Sequence, residues 1–328
     1  PRNARNPAMP CAPLKPASTN TETDMALNIK TAADPVEIGA LITLIYGQPG
    51  IGKTSLAFTA NAPLLLDFDA GAHRSGYRKD YVPVKAWAEI ANITPADLKD
   101  YKTVIVDTLG ACLDRLAEDI LRRDPKMLNR YTGGLSLQGF GALKLQFGNW
   151  VKALKQSGCD VVLIAHGKEK TENERTCIRP DITGGSYDEI MKMADFAGYY
   201  YMAGGERILD FNPTERWIGK NSAGFPALTI PNLTEAPDYL ADKLTEARAH
   251  LAAESDAQKQ AVAAIAIWRE RIEDAKSADS VNGLVAQVQG ISGVQPGVVK
   301  QIKRLLADHA TALGLVFKDG QYIVGNAA

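Results

Sequence analysis

The sequence predicts an α/β fold with a mostly parallel sheet, followed by a smaller, mainly helical unit. Three observations predict it. Four near-continuous apolar runs, "ALITLIYG" (40–47), "PLLLDFD" (63–69), "KTVIVDT" (102–108) and "VVLIAHG" (161–167), read as strands buried on both faces. Helix-forming stretches at 53–61, about 111–123 and about 138–157 separate most of them, the alternation of a doubly wound sheet. From 233 onward the pattern turns helical.

In chain order, residues 1–35 form the first segment. It opens with "PRNARNPAMPCAPLKPASTNTETD", rich in Pro, Asn, Ala and Thr without periodicity, and is expected to be disordered. No apolar core follows its arginines, so a signal peptide is not expected, and Met25 is a candidate start. Residues 36–232 form the predicted α/β domain. After 190 its texture changes to "FAGYYYMAGGERILDFNPTERWIGKN", short strands expected to extend the sheet in antiparallel fashion. A linker near 231–239 leads into the unit 233–328, with helices expected at about 237–253, 258–275, 278–289 and 296–312. "LVFKDGQYIV" then reads as a hairpin turned at Asp319-Gly320. Ile265, Trp268 and Ile272 share one helical face, as do Val299, Ile302 and Leu306, and both stripes are expected to be core.

Composition narrows the function. No window approaches the roughly 18 consecutive apolar residues of a membrane span. A net charge of -1 provides no global basic field, so any site for a polyanion must be local. Cys11, Cys112, Cys159 and Cys177 are scattered without metal-ligand spacing, which suits reduced thiols and a cytoplasmic location.

The strongest signal is Gly47-Gln48-Pro49-Gly50-Ile51-Gly52-Lys53-Thr54, with Ser55 following, a full match to the phosphate-binding loop pattern. Its glycines let backbone N–H groups approach phosphate oxygens and adopt positive φ. Lys53 is expected to meet the β- and γ-phosphates of ATP, and Thr54 to hold Mg²⁺. The second Mg²⁺ partner is an acid ending an apolar strand, Asp107, unless that residue merely caps the next helix. AAA-type motors often carry a glutamate directly after this aspartate. Thr108 stands there, which argues against that class and sends the search for a water-orienting acid to Asp67 and Asp69.

Here the chain resembles the RecA-like recombinase ATPases over about 38–230. The resemblance implies a RecA-like P-loop NTPase core in which Asp69, or else Asp67, orients the attacking water, with a turn-forming role for Asp69 as the alternative. It implies that His166, ending "VVLIAHG", senses the γ-phosphate and moves a DNA-binding loop; a structural histidine is the competing reading. It also implies a cation donated across a subunit interface, with Lys220 in "RWIGKNSAGFP" the best match and Arg216 second, against plain surface charges. An oligomeric ring or filament follows.

Basic residues recur in three segments, "HRSGYRK", "RRDPKMLNRYTGG" and "KEKTENERTCIRPDITGGSYDE". They carry Arg74, Arg78, Lys79, Arg122, Arg123, Arg130, Lys168, Lys170, Arg175 and Arg179, interleaved with Tyr77, Tyr131 and Tyr187. Cations for phosphates and aromatics for bases suit single-stranded DNA, although interspersed acids also fit solvated loops. The segment 168–186 is expected to be a long mobile loop. "PLLLDFDAGAHRS", "VVLIAHGKEK" and "RPDITGGSYDEIMKMADFAGYYYM" most resemble the short phage ATPases that assist single-strand annealing. That resemblance implies ATP- and Mg²⁺-dependent annealing or strand exchange in the bacterial host cytoplasm, alongside a single-strand-binding protein. The rivals are a helicase loader or packaging motor, a small-molecule kinase, and a DNA-binding module switched by ATP.

Overall fold

The computed structural model describes residues 38–172, 175–292 and 294–325. The expectations for residues 1–35, the start at Met25, Cys11 and the Arg175 side chain lie outside the described set.

The order is β1 (Ile42–Gly47), α1 (Lys53–Ala57), β2 (Pro63–Asp67), β3 (Tyr81–Pro83), β4 (Thr103–Asp107), α2 (Leu109–Arg123), α3 (Leu137–Gln156), β5 (Asp160–Glu172) and β6 (Arg175–Pro180). Then come α4 (Ser186–Met193), β7 (Phe196–Ala203), β8 (Glu206–Asp210), β9 (Lys220–Asn221), β10 (Leu228–Ile230), α5 (Tyr239–Asp274), α6 (Ala278–Gln289), α7 (Pro296–Ala312), β11 (Leu315–Lys318) and β12 (Gln321–Val324). The main sheet runs β10-β8-β7-β1-β5-β4-β2-β3, with β6 on β5 and β9 on β7. Strands β7, β1, β5, β4, β2 and β3 are mutually parallel, while β8, β10, β6 and β9 pair antiparallel. The fold is therefore the expected α/β core followed by a mainly helical C-terminal region.

The apolar runs are continuous because both faces are covered. Ile42, Leu44 and Tyr46 of β1 join a cluster with α2, α3 and α4, whereas Leu41 and Ile45 join a second cluster with α1 and α5. Successive residues point to opposite faces, so each strand feeds both layers. The terminal region has its own core, in which Ile272, Val281, Ile302 and Leu306 are buried and Ile265, Trp268 and Val299 pack against it. Both predicted stripes are core. Asp319 and Gly320 turn the final hairpin with φ of 54° and 87°, as expected for that dipeptide.

Four expectations are corrected. The helices at 237–253 and 258–275 are one helix, α5, because the connecting Ala253-Glu254-Ser255-Asp256-Ala257 contains no breaker and Lys259 pairs with Asp256 one turn back at 2.7 Å. The helix after the glycine-rich loop stops at Ala57 rather than 61 and finishes in tighter turns. The mobile loop at 168–186 is mostly a hairpin, since β5 continues to Glu172 and returns as β6. The segment after 190 is not wholly antiparallel, because β7 lies parallel to β1. The short strand β3 and helix α4 were not anticipated.

Candidate active site

All the parallel strands end on one edge, and a cleft of about 440 Å³ opens there between the loop after β1 and the ends of β2, β4 and β5. Such an edge is where open α/β sheets bind ligands. Pro49, Gly50, Gly52, Lys53, Thr54, Ser55, Asp69, Asp107, Thr108 and His166 line it.

The loop's glycines have different reasons. Gly50 and Gly52 hold φ of 75° and 102°, a backbone that side chains strain. Gly47 serves the sheet instead, since a Cβ there would lie 2.1 Å from the Tyr200 carbonyl oxygen on β7. The Ile51 side chain anchors the loop in the core, and Arg207 on β8 donates from Nε to the Ile51 carbonyl at 2.9 Å. Because α1 has only five residues, the loop amides and Lys53 must carry most of the attraction for phosphate.

Lys53 is buried, and its ammonium donates to the Gly47 and Gln48 carbonyls at 3.0 and 2.8 Å. Burial pushes its pKa down to about 8, with the Asp107 charge opposing. Thr54 donates from Oγ1 to Asp107 Oδ2 at 2.6 Å, which puts both proposed Mg²⁺ ligands side by side. Burial pushes Asp107 up to about 6; the Thr54 hydrogen bond and Lys53 work against this, while Asp69 and Asp67 add to it. A hydroxyl beside a poorly solvated carboxylate fits Mg²⁺, which takes one or two protein oxygens and completes its shell with phosphate and water. Helix capping belongs to Thr108, whose side chain accepts from Ala111 N, so Asp107 is left for the cleft.

The two candidate acids after β2 separate cleanly. Asp67 is buried and accepts from the amides of Gly71 and Ala72, both at 2.9 Å, so it makes the turn. The strand ends at Asp67, and Asp69, exposed, lines the cleft. His166 pairs in register with Gly47 and faces the same space. Burial and the Lys53 charge lower its pKa, with Asp69 and Asp181 opposing, which favours the neutral ring. Its Nδ1 is buried without a partner among the described residues, an orphan polar atom of the kind a ligand satisfies.

Lys220 does not join this group. It pairs with Ala197 near the start of β7, and its ammonium donates to the Met191 and Lys192 carbonyls at 3.2 and 3.3 Å. Neither it nor Arg216 lines the cleft. The basic segments also divide. Arg122 and Arg123 pair with Asp119 at 2.5 and 2.7 Å beside α3 and stay outside the cleft. Lys168 meets Asp181 at 3.4 Å, and Arg179 lies 5.3 Å over the Tyr187 ring. Arg74, read in the sequence only as part of a basic loop, lines the cleft itself. Arg207 was not singled out at all, because β8 comes beside the loop only through β7.

The family described as an AAA domain matches residues 40–223, more than half of the chain. No curated protein matches the chain. The family match overturns the argument from Thr108 against the AAA class.

Proposed function

We propose, from the premise that this chain belongs to the AAA domain family of P-loop ATPases, that it couples Mg²⁺-dependent ATP hydrolysis to binding single-stranded DNA. Annealing or strand exchange in phage recombination, in the host cytoplasm, is the work that fits this coupling. One observation carries the reading: β5 runs unbroken for 13 residues from the sheet, past His166 at the cleft, into the hairpin with β6. Cross-strand pairing sets Lys168 opposite Arg179 and Lys170 opposite Cys177, so three cations share one face of that hairpin. On the other face Ile178 packs toward the core. A shift at His166 is thereby transmitted along a strand to a basic surface.

In the cleft, Lys53 and the loop amides bind the phosphates, while Thr54 and Asp107 are placed to hold Mg²⁺, which supplies positive charge to the phosphate oxygens when bound. Asp69 orients a water whose oxygen bonds to the γ-phosphorus as the bond to the β–γ bridging oxygen breaks. That electron pair leaves on ADP, and the water's proton passes to Asp69 and then to solvent. A single-strand-binding protein and further copies of the chain, in a ring or filament, are the partners this reading implies. A trans role for Lys220 would require it to leave the α4 carbonyls.

Fluorescence anisotropy with a labelled single strand, with and without a non-hydrolysable ATP analogue, tests the coupling. The reading requires tighter DNA binding with the analogue; affinity indifferent to nucleotide would remove it. The AAA domain match also fits a second reading, a helicase loader or packaging motor, which translocation or a stable complex with a partner ring would establish.

A further inference from the structure

We infer that Arg74 is a catalytic residue of this site, a guanidinium supplied by the same chain that contacts the terminal phosphate of ATP. This rests on the reading of the cleft as an ATPase site. Arg74 closes the short 3-10 turn Ala72–Arg74, directly after Asp69 and Gly71. The turn is fixed on both sides. Asp67 holds the Gly71 and Ala72 amides, and Ser75 Oγ lies 3.1 Å from Ser55 Oγ of the phosphate loop. The guanidinium folds back along the turn, because a Cβ built on Gly71 would sit 2.6 Å from its terminal nitrogen. It therefore lies beside Gly71, two residues along the chain from Asp69, in the lining of the cleft.

The Arg74 guanidinium makes no hydrogen bond or ion pair among the described residues, although its backbone N–H donates to the Gly71 carbonyl, whereas Arg122, Arg123, Arg207 and Arg248 are each engaged by a carboxylate or carbonyl. Charge balance assigns it work. The charged side chains lining the cleft are Lys53 and Arg74 against Asp69 and Asp107. Without Arg74, the ammonium of Lys53, tied to loop carbonyls, would be the single cationic side chain lining the cleft to meet the polyphosphate beside Mg²⁺. A guanidinium presents a planar fork that matches two oxygens of one phosphate. As the bond between the γ-phosphorus and the bridging oxygen breaks, negative charge spreads over those oxygens, and a positioned cation stabilises that state. Since Arg74 belongs to the chain that binds the nucleotide, this contact needs no neighbouring subunit.

The test compares wild type with Arg74→Ala and Arg74→Lys in the full chain, measuring steady-state kcat and KM and the Kd of a non-hydrolysable ATP analogue and of ADP. Loss of the contact is expected to lower kcat by about 100-fold. It should weaken the ATP analogue about tenfold while leaving ADP within about twofold, since only the terminal phosphate loses a partner. Lysine restores part of the analogue's affinity but not kcat, because a point charge lacks the fork. Equal weakening of ATP analogue and ADP would move Arg74 to the base or inner phosphates and overturn the inference, as would an unchanged kcat. Thermal melts of the variants separate folding from function. If wild type itself turned over no ATP, the ATPase reading would fail, and the ratio of analogue to ADP affinity would still decide whether Arg74 contacts the terminal phosphate.

Discussion

Asp67 and Asp69 stand two positions apart in different surroundings, one binding backbone amides and the other lining the cleft. Asp67 spends both oxygens on backbone amides, so Asp67→Ala is expected to cost about 1–3 kcal/mol in urea unfolding by orphaning them. Asp69→Ala should leave stability within about 0.5 kcal/mol and cut kcat by about 100-fold or more. A DNA-stimulated rate surviving that change would remove Asp69 from the water-orienting role. Asp107 supplies a pH signature. Its carboxyl is raised from 3.8 to about 6, so it lends stability below pH about 4 and withdraws it as pH climbs through about 6. Ionised and without Mg²⁺, it destabilises the protein at neutral pH by up to about 3 kcal/mol. Asp107→Asn should therefore raise the Tm at about pH 7.5 and change it little near pH 4, while abolishing the Mg²⁺-dependent gain in Tm with ADP. An equal rise at both pH values would contradict this. The phosphate loop was legible from sequence because its requirements are local: φ at Gly50 and Gly52, a strand before and a helix after. Which of two nearby acids reaches the cleft was not, since it depends on where β2 ends and which amides Asp67 captures. Arg74 was hidden because a loop arginine looks the same in sequence whether it faces solvent or a cleft.

The β5–β6 hairpin turns a nucleotide site into a DNA site in this account. Replacing Lys168, Lys170 and Arg179 together by alanine should weaken single-strand binding and lower the slope of log affinity against log salt by about 2, at roughly 0.7 per phosphate contact. An unchanged slope would place the DNA elsewhere. Helix α3 makes a separate prediction. A Cβ at Gly141 would meet nothing within 4 Å, so Gly141→Ala should stabilise the fold by about 0.5–1 kcal/mol in urea unfolding. Gly139 is the control, because a Cβ there would come within 2.9 Å of the Met127 carbonyl and Leu135. The buried parallel strands were readable from their unbroken apolar runs. The hairpin was read as a loop because Lys168–Glu172 is polar on both sides, and its pairing partner supplies the order that hydrophobicity does not. Likewise α5 was divided in two because the apolar stripe ending at Leu251 and the one beginning near Ile265 belong to different cores, with the polar run 254–260 between them.

Across the molecule, α5 ties the two regions together. Its first turns complete the second core cluster, and Arg248 bonds Asp160, whose carboxylate also accepts from Leu41 N at 2.8 Å. The boundary drawn from sequence at 232/233 falls before those residues. A chain ended at 232 should consequently lose solubility and cooperative melting, whereas one ended at 253 keeps Leu233, Leu240, Leu244 and Ala247 in place and should melt cooperatively. Equal behaviour of the two truncations would show that α5 adds nothing to the core. No helix among the described residues is long and apolar enough to cross a membrane. The basic hairpin and the cleft lie at the same edge of one sheet, and the central claim is that they work as one device. Steady-state ATP turnover with Mg²⁺ at low salt, measured with and without single-stranded DNA, tests it most directly, with Lys53→Ala as the blank. The account predicts that single strands raise the rate several-fold and that the blank shows none; a wild-type rate indifferent to DNA would contradict it.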